Sequence, residues 1–133
     1  PHMQIIGLND INYMENVAVS SFEGLPIDEQ DGVLFNLSEK PRVGFYEFNV
    51  RMTKPEQLPV FAKYVQTAVH YILNHFPFKC NSYNLFFYNL GTSIYVKIMP
   101  RFVTTPLYIG YSIPQIPSNL HWIRKAIIEK YFK

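Results

Sequence analysis

A single cysteine, Cys80, in 133 residues removes two explanations at once. It cannot form an internal disulfide, and it leaves no pair or trio of thiols for a structural zinc site. Charge of either sign is equally scarce: 12 basic residues face 10 acidic ones, a net of +2, and the basic residues lie scattered without a run or stripe. Recognition of a nucleic-acid backbone is not favoured by such a pattern. No apolar run approaches the roughly 20 residues that span a bilayer, and no signal-peptide pattern precedes the domain. The expectation is a cytoplasmic protein without a membrane partner. Glycine-rich phosphate loops, a Gly-x-Ser-x-Gly elbow, a His-Glu-x-x-His pair and cysteine-histidine clusters are all missing, so spacing alone calls for no metal, no cofactor and no catalytic machinery.

Aromatic residues are abundant instead. Eleven Phe, ten Tyr and one Trp make up 17% of the chain, more than a small core needs. Some should line a pocket or an interface, unless a Tyr-rich antiparallel sheet simply exposes ring edges. With 48% hydrophobic residues, one compact domain is the default.

The pattern centres on residues 82–115. Tyr83, Leu85 and Phe87 alternate with Asn84, Phe86 and Tyr88, apolar on both sides, as in a strand covered on both faces at the middle of a sheet. After Leu90-Gly91, Ile94, Val96 and Ile98 alternate with Tyr95, Lys97 and Met99, giving one apolar face and one able to meet solvent or ligand. The two form an antiparallel hairpin. Cys80, just before it, suits a small buried hydrophobe better than a nucleophile.

Pro1-His2-Met3-Gln4 admits two readings: the remnant of a tag-cleavage site joined to a methionine, or native residues leading into a short strand at Ile5–Leu8. Asn9 to Asp31 shows no sustained period and reads as a long connection or interaction arm, so that residues 1–31 form a strand and arm ahead of a domain at 32–133. Val33 to Ser38 is a short strand. In Val43 to Met52 the residues Tyr46, Phe48, Val50 and Met52 share one face. Phe45, Glu47, Asn49 and Arg51 share the other, which would either bind a sugar or phosphate or form a solvated outer surface. Thr53 and Glu56 suit a capping box for a helix ending near His75, whose stripe is Leu58, Phe61, Val65, Ala68, Val69, Ile72, Leu73 and Phe76. His70 and His75, five apart, do not share a helical face and read as ordinary helix histidines. Ser118-Asn119 caps a last helix that buries Leu120, Ile123, Ile127, Ile128 and Tyr131. The fold class is α+β, a mostly antiparallel sheet carrying one long helix and a C-terminal helix.

In order along the chain, FEGLPI (22–27), GFYEFNV (44–50), NLFFY (84–88), PRFVTTPLYIGY (100–111) and IPQ (113–115) resemble the C-terminal half of galactose-1-phosphate uridylyltransferases, and most of all an uncharacterised bacterial family of that type. The resemblance implies a histidine-triad-like half, a helix on an antiparallel sheet. In those enzymes the first half ends in His-Pro-His-x-Gln, and Pro1-His2-Met3-Gln4 matches its last four positions. His2, if native, would be the nucleophile that carries the nucleotidyl group, and Gln4 its phosphate partner. Gly110, Tyr111 and Gln115 match positions that reach the sugar and phosphate. Arg101 is added on chemical grounds, since guanidinium pairs with phosphate through two parallel hydrogen bonds. Where the family sets two metal-binding histidines, this chain carries Tyr95 and Lys97, which implies that the metal site is lost.

Two functions follow as expectations. One is the C-terminal half of a nucleotidyltransferase-like protein, inactive alone, that contacts a nucleotide sugar or sugar phosphate beside a missing N-terminal half or within a homo-oligomer. The other is a non-catalytic structural or dimerisation module with an aromatic surface for a protein partner. Stacking of single-stranded nucleic acid is a third, opposed by the sparse basic residues.

Overall fold

The computed structural model describes residues 17–41, 45–101 and 116–133. A five-stranded antiparallel sheet has the order β1-β2-β3-β5-β4, with β1 Gly24–Gln30, β2 Val33–Ser38, β3 Phe48–Met52, β4 Tyr83–Asn89 and β5 Ile94–Pro100. Helix α1, Leu58–Asn74, joins β3 to β4, and helix α2, Leu120–Tyr131, closes the chain. The α+β class expected from the pattern is observed.

Three local readings change. Gly24–Gln30, expected to lack regular structure, is a full strand. Its alternation is obscured by Pro26 and by a register shift between Pro26 and Asp28, a bulge that lets one extra residue interrupt the period of two. The turn after it, Asp31-Gly32, has positive φ at both residues, 53° and 81°, the conformation of a tight two-residue hairpin that glycine and aspartate tolerate. The second change concerns β4, which among the described strands lies at the end of the order and not at the sheet centre; β3 holds the middle. Phe87 and Tyr83 are exposed by 61% and 40%, so the double-sided apolar pattern belongs to a strand whose rings are partly open to solvent. Third, the start of α1 is held by Gln57 and not by Thr53 with Glu56. The Gln57 Oε1 accepts from the backbone N–H of Thr53 at 2.7 Å and of Lys54 at 3.0 Å, while its Nε2 donates to the Asp31 carbonyl at 2.8 Å. One side chain thus ties the helix start to the β1–β2 turn.

Cross-strand partners share a face, so the registers sort the sheet into two sides. On the first, Val33, Phe35, Leu37, Phe48, Val50, Met52, Val96 and Ile98 are buried beneath both helices. From α1 come Phe61, Tyr64, Ala68, Tyr71 and Ile72, at steps of three and four; from α2 come Leu120, Ile123 and Ile127. The two tyrosines were absent from the apolar stripe because their hydroxyls disguise them. Tyr64 meets its polar need at the rim, donating to the Asp28 carboxylate at 2.7 Å. Leu58 and Leu73, counted in that stripe, are exposed by 54% and 40%, at the two ends of the helix where the sheet no longer lies below. Cys80 is buried, with its Sγ 3.0 Å from the Ser82 carbonyl.

Candidate functional site

The second face of the sheet is where sequence expectation and structure diverge most. Glu47, Asn49 and Lys97, expected to face solvent or ligand, are buried at 0%, 1% and 0% exposure. Burial of two opposite charges needs each to be paired and hydrogen-bonded, and that requirement is met in full. The Lys97 Nζ donates to Glu47 Oε2 at 2.7 Å, to Asn49 Oδ1 at 3.0 Å and to the Ser21 carbonyl at 2.6 Å. Its ammonium also lies 4.9 Å from the centre of the Phe22 ring, within reach of the ring quadrupole. Asn49 in turn donates to Asn36 Oδ1 at 2.8 Å, and Asn36 donates to the Phe22 carbonyl at 3.0 Å.

A four-residue 3-10 turn, Val19–Phe22, makes this burial possible. Ser21 closes it, its hydroxyl donating to the Ala18 carbonyl at 2.7 Å. Phe22 then enters the second face, stacked on Tyr95 with ring centres 4.3 Å apart and edge-on to Tyr88 at 5.2 Å. The region read as an arm therefore lies across the sheet in part and roofs a polar network. No periodicity could have announced a four-residue plug.

Beside the plug, a cleft of about 470 Å³ runs along β1, bordered by Phe22, Asn36, Asn49, Arg51, Tyr95 and, from α2, Arg124. Arg124 reaches over the sheet edge, and its Nε donates to the Pro26 carbonyl. Arg51 is half-buried, and its Nε is buried with no hydrogen-bond partner. Of the face expected to carry chemistry, Arg51 is thus the member left available, while Glu47 and Asn49 are committed to Lys97.

Of the residues proposed from sequence for a site, Arg101 is described and exposed. Its backbone N–H donates to the Ser82 carbonyl at 3.0 Å, extending the β4–β5 pairing by one step. His2, Gln4, Gly110, Tyr111 and Gln115 lie outside the described residues, as does the Ile5–Leu8 strand. Among the described residues, no group of three or more His, Cys, Asp or Glu side chains could hold a metal ion, and no helix is long and apolar enough to cross a membrane.

His70 and His75 are closer than their spacing implies, with ring centres 5.6 Å apart, because His75 sits past the helix end with φ of −132° and leaves the helical path. His70 Nδ1 is 2.5 Å from the Tyr131 hydroxyl, which links the ends of α1 and α2. The pKa of His75 is lowered from 6.5 by loss of solvent around the ring, then by the positive charge of Lys130 and by His70. The fold therefore favours neutral His75, and the unfolded chain binds the proton more readily, so stability should fall as pH drops through and below 6.5. Proton NMR should find His75 titrating below 6.5; a midpoint at or above that value contradicts the lowering by its surroundings.

Residues 14–132 match a family model described as the C-terminal domain of DUF4931, a domain of unknown function. Among solved structures, a DUF4931 family protein from Bacillus cereus ATCC 10987 is similar to this chain, with a TM-score of 0.79 and 37% sequence identity. That likeness covers 96% of this chain and 58% of the other, so the chain spans little more than half of that relative. No curated protein matches. Neither match names a uridylyltransferase or a histidine-triad protein.

Proposed function

The chain belongs to the DUF4931 C-terminal domain family, and on that premise we propose that it is the C-terminal half, without the full catalytic machinery, of a nucleotidyltransferase-like protein resembling galactose-1-phosphate uridylyltransferase. The observation that carries this reading is the caged lysine. At the β5 positions where the resemblance expects metal-binding histidines, Tyr95 stacks on Phe22, and Lys97 is held by three oxygens, from Glu47, Asn49 and Ser21. A protonated lysine has no lone pair for a metal, and these oxygens are committed to it, so neither β5 position offers the ligand that metal catalysis needs. Such a half supplies contacts to a nucleotide sugar or sugar phosphate through Arg101, Gly110, Tyr111 and Gln115, and the nucleophile comes from the preceding half, with His2 and Gln4 at its end if they are native.

Calorimetric titration of a uridine-diphosphate sugar into the protein that carries both halves tests this. Tyr111→Phe and Gln115→Ala should each weaken binding by about 1–3 kcal/mol if a buried hydrogen bond is lost, with thermal stability unchanged. Equal affinity in both variants and the parent would overturn the assignment of these residues.

A second reading is favoured by a separate observation. Phe78, Tyr83, Phe86 and Phe87 are exposed by 51%, 40%, 38% and 61%, gathered on and beside β4, the end strand among those described. Exposed aromatic edges invite another chain, which suits a structural or dimerisation module. Sedimentation of the 133-residue chain as a strict monomer at high concentration would count against it.

A further inference from the structure

We infer that the cleft along β1 binds an oxyanion, a carboxylate or a phosphate ester, on the guanidinium of Arg51. This does not rest on the uridylyltransferase-like reading. Arg51 pairs across the sheet with Tyr95, six residues before Arg101 on the same chain, so at about 3.3 Å per residue the two arginines are separated by roughly 20 Å.

The argument starts from an unmet donor. Two ion pairs occur among the described residues, Lys97 with Glu47 and Lys125 with Glu129, and neither uses Arg51. Its Nε is buried without a partner, although buried donors are almost always satisfied and an unmade bond costs about 1–3 kcal/mol. The two amide oxygens of the cleft wall are already engaged. The Asn49 Oδ1 takes Lys97, and the Asn36 Oδ1 takes the Asn49 amide. A guanidinium presents five donors in a planar fork that suits two oxygens of one acid group, and Arg124 adds a second positive side chain to the same cleft.

Three carboxylates also border it, those of Glu23, Asp28 and Glu29. Asp28 accepts from Tyr64, while Glu23 and Glu29 are exposed. Their charge opposes a bare anion and favours a ligand that carries hydroxyl or amino donors beside its acid group. The occupant inferred is thus a small polar acid, with its oxyanion on Arg51 and its donors toward the β1 carboxylates. Phe22 and Tyr95, nearly buried at 3% and 8%, give the cleft a rigid floor and leave little ring surface for stacking.

Inorganic phosphate and acetate are the probes, titrated separately into the isotope-labelled 133-residue chain at constant ionic strength and read at the arginine Nε–H resonances by NMR. Filling a 1 mM site takes about ten millimolar probe. The expected result is a saturable shift of the Arg51 Nε–H, with the more responsive probe identifying the acid as phosphate or carboxylate. The backbone amides of Asn36, Asn49 and Tyr95, which border the cleft, should shift with the same midpoint; in Arg51→Met that amide response should be lost, and in Arg51→Lys its affinity should weaken at least tenfold. Well-dispersed amide spectra will show that both variants fold. An Arg51 resonance unmoved by either probe, or an amide response retained in Arg51→Met, would overturn the inference and leave the Nε to water.

Discussion

Lys97→Met should destabilise the domain by about 3–5 kcal/mol, because it removes one partner of a buried ion pair and leaves the other charge uncompensated. Glu47 has 0% exposure, so its carboxylate cannot turn to water once the ammonium is gone. The loss also unties the roof, since the Ser21 carbonyl loses its donor at 2.6 Å. Urea unfolding monitored by circular dichroism reads the effect as a fall in midpoint at nearly constant slope. A second variant makes the cause visible. Replacing both charges, in Glu47→Leu with Lys97→Met, should recover much of the loss, because a buried pair exchanged for apolar residues of similar volume is often neutral. If Lys97→Met costs less than about 1 kcal/mol, the pair behaves as a surface salt bridge and its burial means little. A double variant no better than the single one would place the cost in packing and not in the orphaned charge.

How far the fold could be read from the chain depended on whether a neighbour in sequence or a neighbour in space decided each element. Helix α1 and helix α2 were legible because Phe61, Ala68 and Ile72, and Leu120, Ile123 and Ile127, repeat at helical steps against one continuous core. The β4–β5 hairpin was legible from its glycine turn, and Gly91 does take a positive φ of 81°. Strand β1 carried one readable sign, the Asp31-Gly32 pair, outweighed by Pro26 and the bulge beside it. The place of β4 in the sheet could not be read at all, since an apolar alternation describes a strand's two sides and says nothing about whether a neighbour covers them. Phe87, exposed by 61%, has the same local pattern that a central strand would show.

The second face failed for a related reason. Glu47, Asn49 and Lys97 are the side chains a polar face should have, and pattern alone assigns them to water. Their burial is decided by Ser21 and Phe22, which meet Lys97 across 76 residues in the Ser21 bond. Of the candidate site, the pattern left the Arg51 face open between binding and a solvated surface, and the division of labour within it, with two members locked and one available, is a property of the folded network.

That network has a keystone in the plug, and Phe22→Ala is the sharpest test of it. Phe22 is 3% exposed and stacks on Tyr95 at 4.3 Å, so truncation should cost about 3–5 kcal/mol, the range for buried aromatic rings replaced by alanine. The ring also shields Lys97, whose ammonium lies 4.9 Å from its centre. Removing it admits water beside the Lys97–Glu47 pair and weakens the attraction that a dry site had strengthened. Two changes acting on one contact network should therefore fail to add. In a double-mutant cycle, Phe22→Ala with Lys97→Met should fall short of the sum of the single losses by about 0.5–3 kcal/mol. Phe22→Leu separates packing from ring chemistry, because it refills much of the volume and restores no cation–π contact; it should regain most of the stability but only part of the coupling. Chemical denaturation of the four members of the cycle decides the matter. Simple additivity would mean that the Val19–Phe22 turn and the buried lysine are independent, and that the turn is a lid resting on the sheet instead of a part of its polar core.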